Sequence, residues 1–192
     1  MKEGMLGLLF SCAVLYVGAQ RLYTGERHIS ASIGLQDNFF LQKKDNAGFF
    51  ASLYCSWINK KKNWWLLGAN ASIKYYEYRG EYVPVSQYVA DMGYYMPFIK
   101  NYRKNWIISF GLGANAGYEV IGFPNGGVFK NGAAIAAKNN WLYGGFIGLE
   151  NELYICNNLI WILHFKERYL SGSDITPLHW NFGTGFKFSI NN

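Results

Sequence analysis

The chain has 192 residues, of which 51% are hydrophobic, 19% aromatic and 16% charged, and its net charge is +6. This length accommodates one domain, and the high aromatic content excludes an intrinsically disordered protein. A mean hydropathy near zero is too low for a polytopic helical membrane protein, so an aromatic, glycine-rich chain of this kind favours an all-β fold.

The N-terminus is predicted to be a secretory signal peptide, residues 1–19. Residues 5–19 carry no charge, and this stretch is shorter than the roughly 20 residues of a membrane-spanning helix. Small residues end it, which predicts cleavage between Ala19 and Gln20. The alternatives are an uncleaved anchor and a lipoprotein modified at Cys12.

Large apolar and small polar residues alternate in segments of about ten residues through the rest of the chain. In the last segment the even positions from Trp180 to Ile190 are mostly large and apolar, whereas the odd positions include Asn181, Gly183 and Lys187. A β-strand places two such sets on opposite faces. The pattern predicts eight strands, at residues 27–36, 48–58, 64–78, 85–99, 106–121, 141–155, 159–170 and 178–190.

The connections predict how these strands are arranged. Short turns follow the even-numbered strands, and longer loops, such as 37–47 and 122–140, follow the odd-numbered ones. This favours one domain at residues 20–192: an eight-stranded antiparallel up-and-down β-barrel of the outer-membrane type, with its N-terminus in the periplasm.

A soluble β-sandwich is the alternative fold, but its polar face would carry many charged side chains. Here the polar face is mostly Gly, Ser and Asn, which suits a narrow interior filled by side chains. Aromatic residues also cluster near strand ends, where a membrane interface favours them. They are Trp64, Trp65, Trp106, Trp141 and Tyr143.

The sixth and seventh predicted strands allow their register to be derived. A three-residue turn at 156–158 places Glu150 opposite His164, with Lys166 as a diagonal neighbour. Five residues would then share the inward face as a network of carboxylates and cations: Glu150, Glu152, His164, Lys166 and Arg168. The functional interpretation is an ion path or an acid–base pair, and the structural interpretation, which we favour, is a plug.

Two short turns hold much of the basic excess. They contain Lys60, Lys61 and Lys62 in the first turn, and Lys100, Arg103 and Lys104 in the second. Nucleic acid is one conceivable ligand, because Trp64 and Trp65 follow the first group. We favour solvated turns that face the periplasm beside lipid head groups, so direct DNA contact is not expected.

Little in the chain indicates catalysis. The glycine spacing at residues 111–117 resembles a dinucleotide-binding motif but lies within a predicted strand and opens no helix. No nucleophile elbow, cofactor motif or metal-ligand spacing is present, so no catalytic residue, cofactor, metal or small-molecule substrate is expected. Loop 122–140 is the expected contact surface for a partner, although a mobile loop without a partner is an equal alternative. Its candidate residues are Phe123, Asn125, Phe129 and Asn131.

Several segments resemble one family in order and spacing. The most specific is Gly-Ala-Asn-Ala-Gly-Tyr-Glu at residues 113–119. The others are residues 19–22, 88–94, 131–133, 141–144, 169–174 and 183–188. Together they resemble the conjugative-transposon protein TraO family.

The resemblance implies a component of a conjugative DNA-transfer apparatus in the outer membrane of a Gram-negative bacterium. Its partners would be other transfer proteins and outer-membrane lipid, and it would anchor the apparatus rather than conduct DNA. The alternatives are a stand-alone surface barrel for adhesion or envelope stability and a lipid-modifying enzyme.

Overall fold

The computed structural model describes residues 24–40, 42, 45–78, 80–102, 105–122, 127–128, 134–135, 138–156 and 158–190. The regular elements within these ranges are all β-strands. They are Arg27–Gln36 (β1), Gly48–Ile58 (β2), Trp64–Tyr78 (β3), Glu81–Lys100 (β4), Trp106–Ile121 (β5), Gly127–Val128 (β6), Ala134–Ile135 (β7), Lys138–Tyr154 (β8), Leu159–Ser171 (β9) and Leu178–Ser189 (β10). The predicted signal peptide and its cleavage site at Ala19 and Gln20 lie outside the described residues.

Eight of these strands form a closed antiparallel barrel in the order β1-β10-β9-β8-β5-β4-β3-β2. Each long strand pairs with its neighbours along the chain, and β1 closes the barrel by pairing with β10 from His28–Ser189 to Gln36–Asn181. The prediction of an eight-stranded up-and-down barrel is therefore confirmed. In the β8–β9 hairpin Glu150 lies opposite His164, which is the register that the short turn predicts.

The two ends of the barrel differ in their connections. The turn end holds the short turns 59–63, 101–105 and 155–158, and the loop end holds the connections 37–47, 79–80, 122–137 and 172–177. No helix among the described residues is long and apolar enough to cross a membrane.

Four of the predicted strands, β1, β2, β3 and β5, have the predicted bounds, while β4 and β8 are longer than predicted. β4 begins at Glu81 because its first residues pair with the end of β3, so that this hairpin extends beyond the barrel at the loop end. A second, two-stranded sheet, β6–β7, lies within the predicted loop 122–140.

Alternation along the strands separates a lumen-facing set from an outer-wall set. In β9 the even-numbered residues from Ile160 to Leu170 are buried, and the odd-numbered residues are exposed or half-buried. The same alternation runs through β2, β4 and β10. The small polar face of the sequence pattern is therefore the inner face of the barrel.

Glycines on the inner face provide space for aromatic rings that fill the lumen. A Cβ atom added at Gly111 would overlap the ring of Tyr95, and one added at Gly113 would lie 2.6 Å from the ring of Phe146. Both rings belong to a buried apolar cluster towards the turn end, which consists of Tyr54, Ile58, Trp64, Leu66, Tyr95, Ile107, Phe146, Tyr154, Ile160 and Ile162. The glycine positions thus accommodate side chains rather than an aqueous channel.

Trp64 is a member of this cluster, so its prediction as an interface aromatic is wrong. It is 2% exposed and stacks on Tyr95 with ring centroids 6.0 Å apart. Its neighbour Trp65 lies on the outer wall instead, because adjacent residues of a strand face opposite sides.

The outer wall is apolar and carries two aromatic belts. Near the turn end the belt consists of Trp57, Trp65, Trp106 and Trp161, and near the loop end it includes Tyr88, Trp141, Tyr143 and Tyr169. Two indoles of the first belt also pair with polar side chains on this wall: Trp106 Nε1 donates to Asn151 at 2.6 Å, and Trp161 Nε1 donates to Thr184 at 2.7 Å. Such belts are typical of barrels that span a membrane.

Candidate functional site

The five residues predicted as an interior polar network all lie in the lumen and are buried. They are Glu150, Glu152, His164, Lys166 and Arg168. Glu150 and Glu152 belong to one ion cluster, Lys166 and Arg168 belong to another, and His164 lies beside Glu150. Each cluster depends on a residue from another strand: Lys187 in β10 for the first and Asp91 in β4 for the second.

The Asp91 cluster consists of Tyr54, Asp91, Lys166 and Arg168. Asp91 Oδ2 accepts hydrogen bonds from Arg168 Nη2 at 2.6 Å, from Tyr54 Oη at 2.7 Å and from Lys166 Nζ at 2.9 Å. The Tyr54 hydroxyl in turn accepts from Lys166 at 2.9 Å and from Arg168 at 3.1 Å. One carboxylate therefore compensates two cations in the middle of the barrel.

Aromatic faces complete the surroundings of Lys166. Its Nζ atom lies 4.3 Å from the ring centroid of Tyr54 and 4.4 Å from that of Phe146. Contacts of this kind attract a cation through the ring quadrupole. They hold the ammonium group where the apolar cluster meets the charged layer.

The Lys187 cluster has the opposite composition, with one cation and two carboxylates. Lys187 Nζ donates to Glu150 Oε1 at 2.5 Å and also to Glu152 Oε1. The same ammonium lies 5.0 Å from the ring centroid of Trp64. His164 lies opposite Glu150 in the strand register and packs 5.6 Å from the ring of Phe50.

The two clusters balance each other in charge. The Asp91 cluster has an excess positive charge, the Lys187 cluster has an excess negative charge, and together they hold three carboxylates and three cations. Buried charges are tolerated only when they are paired and hydrogen-bonded. The arrangement is suited to filling and fixing the lumen.

A third group, the Asp37 cluster, closes the lumen at the loop end. It consists of Asp37, Lys74 and His179, with Gln87 and Glu119 next to it. Asp37 Oδ2 accepts from Lys74 Nζ at 2.9 Å and lies 2.6 Å from His179 Nδ1. Gln87 Nε2 donates to Glu119 at 2.9 Å and lies 3.2 Å from His179 Nε2. With Gln87 as the donor to Nε2, Nδ1 is the ring nitrogen that donates to Asp37.

The sequence analysis does not identify this third cluster. Its residues lie on five strands or loops that are distant in sequence, and Ser173 joins it by donating to Glu119 at 3.0 Å. One indication was available in the sequence: Lys74 is even-numbered and continues the polar set of the third predicted strand. Parity identifies an inward residue but not its partner across the lumen.

The Asp37 cluster predicts an acid sensitivity at the loop end. Burial raises the pKa of Asp37, but the hydrogen bond from His179 and the ammonium of Lys74 outweigh it and hold this pKa below its ordinary value of 3.8. A carboxyl with a depressed folded-state pKa stabilises the fold above pH 3.8 and loses that contribution as the pH falls through the folded-state pKa. We therefore expect the difference in unfolding free energy between wild type and Asp37→Asn to be largest at neutral pH and to shrink below pH 3.8.

Urea titrations of both proteins at a series of pH values measure this difference. A gap that stays constant between neutral and acidic pH would show that the Asp37 charge does not contribute to stability.

The remaining predicted residues lie at the barrel ends or outside the described ranges. Lys60, Lys61 and Lys62 form the β2–β3 turn, and Lys100 ends β4, so all four lie at the turn end. Outside the described residues lie Arg103 and Lys104 of the second basic turn, and Phe123, Asn125, Phe129 and Asn131 of the predicted partner loop.

The glycine-rich stretch at residues 111–117 is part of a strand. Gly111 and Gly117 face the lumen within β5, and this glycine-rich stretch opens no helix. No group of three His, Cys, Asp or Glu side chains within the described ranges could hold a metal ion. Cys55 and Cys156 are exposed free thiols.

Solved structures with similar folds are outer-membrane barrels. The N-terminal β-barrel domain of Pseudomonas aeruginosa OprF is 10% identical, with a TM-score of 0.55, and the match covers 87% of this chain and 98% of that one. Neisserial surface protein A is 8% identical, with a TM-score of 0.56 and coverage of 86% and 96%. Ail of Yersinia pestis, solved with the heparin analogue sucrose octasulfate, is 14% identical, with a TM-score of 0.50 and coverage of 86% and 100%.

These similarities concern the fold, because the identities are low. No curated protein sequence matches the chain. A family model described as conjugative transposon protein TraO matches residues 15–190. That match spans nearly the whole chain, including all eight barrel strands. The chain therefore belongs to the family of the conjugative transposon protein TraO.

Proposed function

We propose that the protein is a non-enzymatic barrel of the Gram-negative outer membrane that anchors or supports the envelope-spanning part of a conjugative transfer apparatus. It does not conduct DNA itself. The observation that carries this proposal is that side chains fill the lumen of this barrel, which belongs to the family of a conjugative transposon protein.

The outer wall supports the membrane placement. Large apolar side chains on it are exposed along the strands, including Ile33, Leu53, Leu112 and Ile147. Exposing so many apolar side chains to water would be costly, whereas lipid accommodates them. With the wall in lipid, the short turns face the periplasm and the loop end faces outward, as in other barrels of this type.

The lumen supports an anchoring role rather than a conducting one. An eight-stranded barrel has an interior just wide enough for side chains to fill. Here three layers fill it: the apolar cluster towards the turn end with the Lys187 cluster beside Trp64, the Asp91 cluster in the middle, and the Asp37 cluster at the loop end. A strand of DNA could pass only if these layers were dismantled.

The loop end offers the contact surface for another transfer protein. The β3–β4 hairpin projects beyond the barrel here and carries Tyr75, Tyr76 and Tyr82. Its Pro84 carbonyl accepts the N–H of Gly122 at 2.9 Å, so the hairpin adjoins the start of the predicted partner loop 122–140. Tyrosine is enriched in protein interfaces because its ring buries a large area while its hydroxyl remains hydrogen-bonded.

The distribution of transfer proteins between the two membranes tests this role. In donor cells with an in-frame deletion of this gene, quantitative mass spectrometry would compare the other transfer proteins of the same element in outer- and inner-membrane fractions. We expect these proteins to leave the outer-membrane fraction and to return when the wild-type gene is supplied.

A variant with Phe123→Ser and Phe129→Ser tests the contact loop in the same strain. We expect it to insert in the outer membrane without restoring the distribution. Phe39→Ser is the matched control, because Phe39 is an exposed aromatic residue of another loop at the same end. An unchanged distribution in the deletion strain would indicate a stand-alone surface barrel instead.

A further inference from the structure

The basic turn between β2 and β3 forms one wall of a pocket on the outside of the barrel. We call this the interface pocket. It has a volume of about 610 Å³ and is lined by Asn59, Lys60, Lys61, Trp65 and Tyr94. Trp65 and Tyr94 therefore form two aromatic walls, and the lysines form a cationic wall.

The turn is fixed by the side chain of Asn59. Asn59 Oδ1 accepts the backbone N–H of Lys61 at 2.9 Å and that of Asn63 at 3.1 Å. Lys62 Nζ is engaged with Thr24 Oγ1 at 3.0 Å. Lys60 and Lys61 are exposed and make no side-chain hydrogen bond or ion pair within the described part of the chain, so their ammonium groups are available to a ligand.

The hydroxyl of Tyr94 is available as a donor. It accepts one hydrogen bond from Asn59 Nδ2 and another from Asn63 Nδ2, both at 2.9 Å. A phenolic oxygen that accepts two hydrogen bonds retains its own O–H for donation. That proton is the third donor of the pocket, beside the ammonium groups of Lys60 and Lys61.

The aromatic residues of the pocket indicate its depth relative to the membrane. Trp65 packs edge-on against Tyr94 with ring centroids 4.9 Å apart, and it pairs with Trp57 across the β2–β3 ladder. Both tryptophans belong to the belt at the turn end, where a membrane places its glycerol and head-group layer. The pocket thus has an apolar side facing lipid chains and a cationic side facing the head groups.

We propose that the interface pocket binds one anionic glycerophospholipid of the periplasmic leaflet. Lys60, Lys61 and the Tyr94 hydroxyl hold the phosphate oxygens, while the first part of an acyl chain lies along Trp65. The site rests on the proposed membrane placement and is independent of the role in DNA transfer.

Single-stranded nucleic acid fits the pocket less well. Stacking of successive bases needs several accessible aromatic faces, whereas Trp64 is buried in the lumen and only Trp65 of this pair lies on the outer wall.

Native mass spectrometry of the full barrel in detergent tests the proposal. The protein would be titrated separately with phosphatidylglycerol, phosphatidylcholine and lipid A. We expect one phosphatidylglycerol molecule to bind with roughly tenfold preference over phosphatidylcholine, since two lysines act on one anionic head group. Lys60→Gln with Lys61→Gln should abolish this preference, and Tyr94→Phe should weaken it several-fold. The matched control, Lys43→Gln with Lys44→Gln, removes the same charge from the first loop and should retain the preference.

Several results would overturn the proposal. One is an unchanged preference in the Lys60, Lys61 variant, provided that this variant keeps the heat-dependent gel shift of a folded barrel. Competition by inorganic phosphate as strong as that by the lipid would indicate a free-phosphate site. Displacement of the lipid by a single-stranded oligonucleotide would indicate a nucleic-acid site, and a preference for lipid A would place the turn end in the opposite leaflet.

Discussion

Replacing Asp91 with asparagine is expected to destabilise the barrel by about 3–5 kcal/mol, because it leaves buried charges without their partner. Asp91 is 1% exposed and, within the described part of the chain, is the one carboxylate that pairs directly with both Lys166 and Arg168. Asparagine keeps the shape of the side chain but removes its negative charge. Two cations would then face each other in the lumen, with the Lys187 cluster as the nearest source of negative charge.

The urea concentration at half-unfolding measures this loss for barrels refolded into phospholipid vesicles. The folded fraction is read from the gel shift between unheated and heated samples. The double variant Asp91→Asn with Lys166→Met should regain part of the stability, because it removes one of the two unpaired cations. This comparison keeps the prediction testable even where the single variant folds poorly.

Glu167→Gln is the matched control for the loss of one carboxylate. Glu167 faces the outer wall of β9 and makes no ion pair among the residues that the structure describes. We expect it to change stability by less than about 0.5 kcal/mol. Equal midpoints for wild type and Asp91→Asn would contradict the assignment of Asp91 as the central counter-ion of the lumen.

Much of the barrel could be predicted from the sequence because its two faces differ so clearly. Gly, Ser and Asn alternate with large apolar side chains, and this period of two defines both the strands and their inward faces. The short turn at 156–158 also fixed the β8–β9 register, which placed Glu150 opposite His164. Local pattern and local turn geometry were sufficient at this level.

The pairing of charges across the lumen could not be predicted in the same way. Asp91 lies in β4 and its cations lie in β9, and these strands are not neighbours in the barrel. Their approach depends on how the whole sheet tilts and staggers when it closes, which no single hairpin determines. Asp91 could have been singled out as the one charged residue among Val89, Asp91, Gly93 and Tyr95 on its inward face, but its partners could not.

The β3–β4 hairpin shows a different limit of sequence reasoning. Residues 79–84 were predicted as a loop, although Tyr76 pairs with Val83 and Glu77 with Tyr82 beyond the barrel rim. Beyond the rim Val83 is buried, but the residues on either side of it are half-buried, so the alternation that marks the other strands is weaker here. Gly80, with a φ of +80°, allows the tight turn between them.

Loss of conjugative transfer is the largest effect that we expect. If the barrel anchors the apparatus at the outer membrane, its removal should stop transfer at the envelope while leaving growth of the donor cells intact. Variants that alter the lumen but still fold should restore transfer, because in the proposed role the barrel does not conduct DNA. The Glu167→Gln control should restore it as well.

The most direct test is the transfer frequency from a donor with an in-frame deletion of this gene, measured with and without a wild-type copy. We predict that transfer falls by several orders of magnitude in the deletion strain and recovers when the gene is supplied. Unchanged transfer in the deletion strain would contradict the proposed role and would leave a barrel that acts in the envelope on its own.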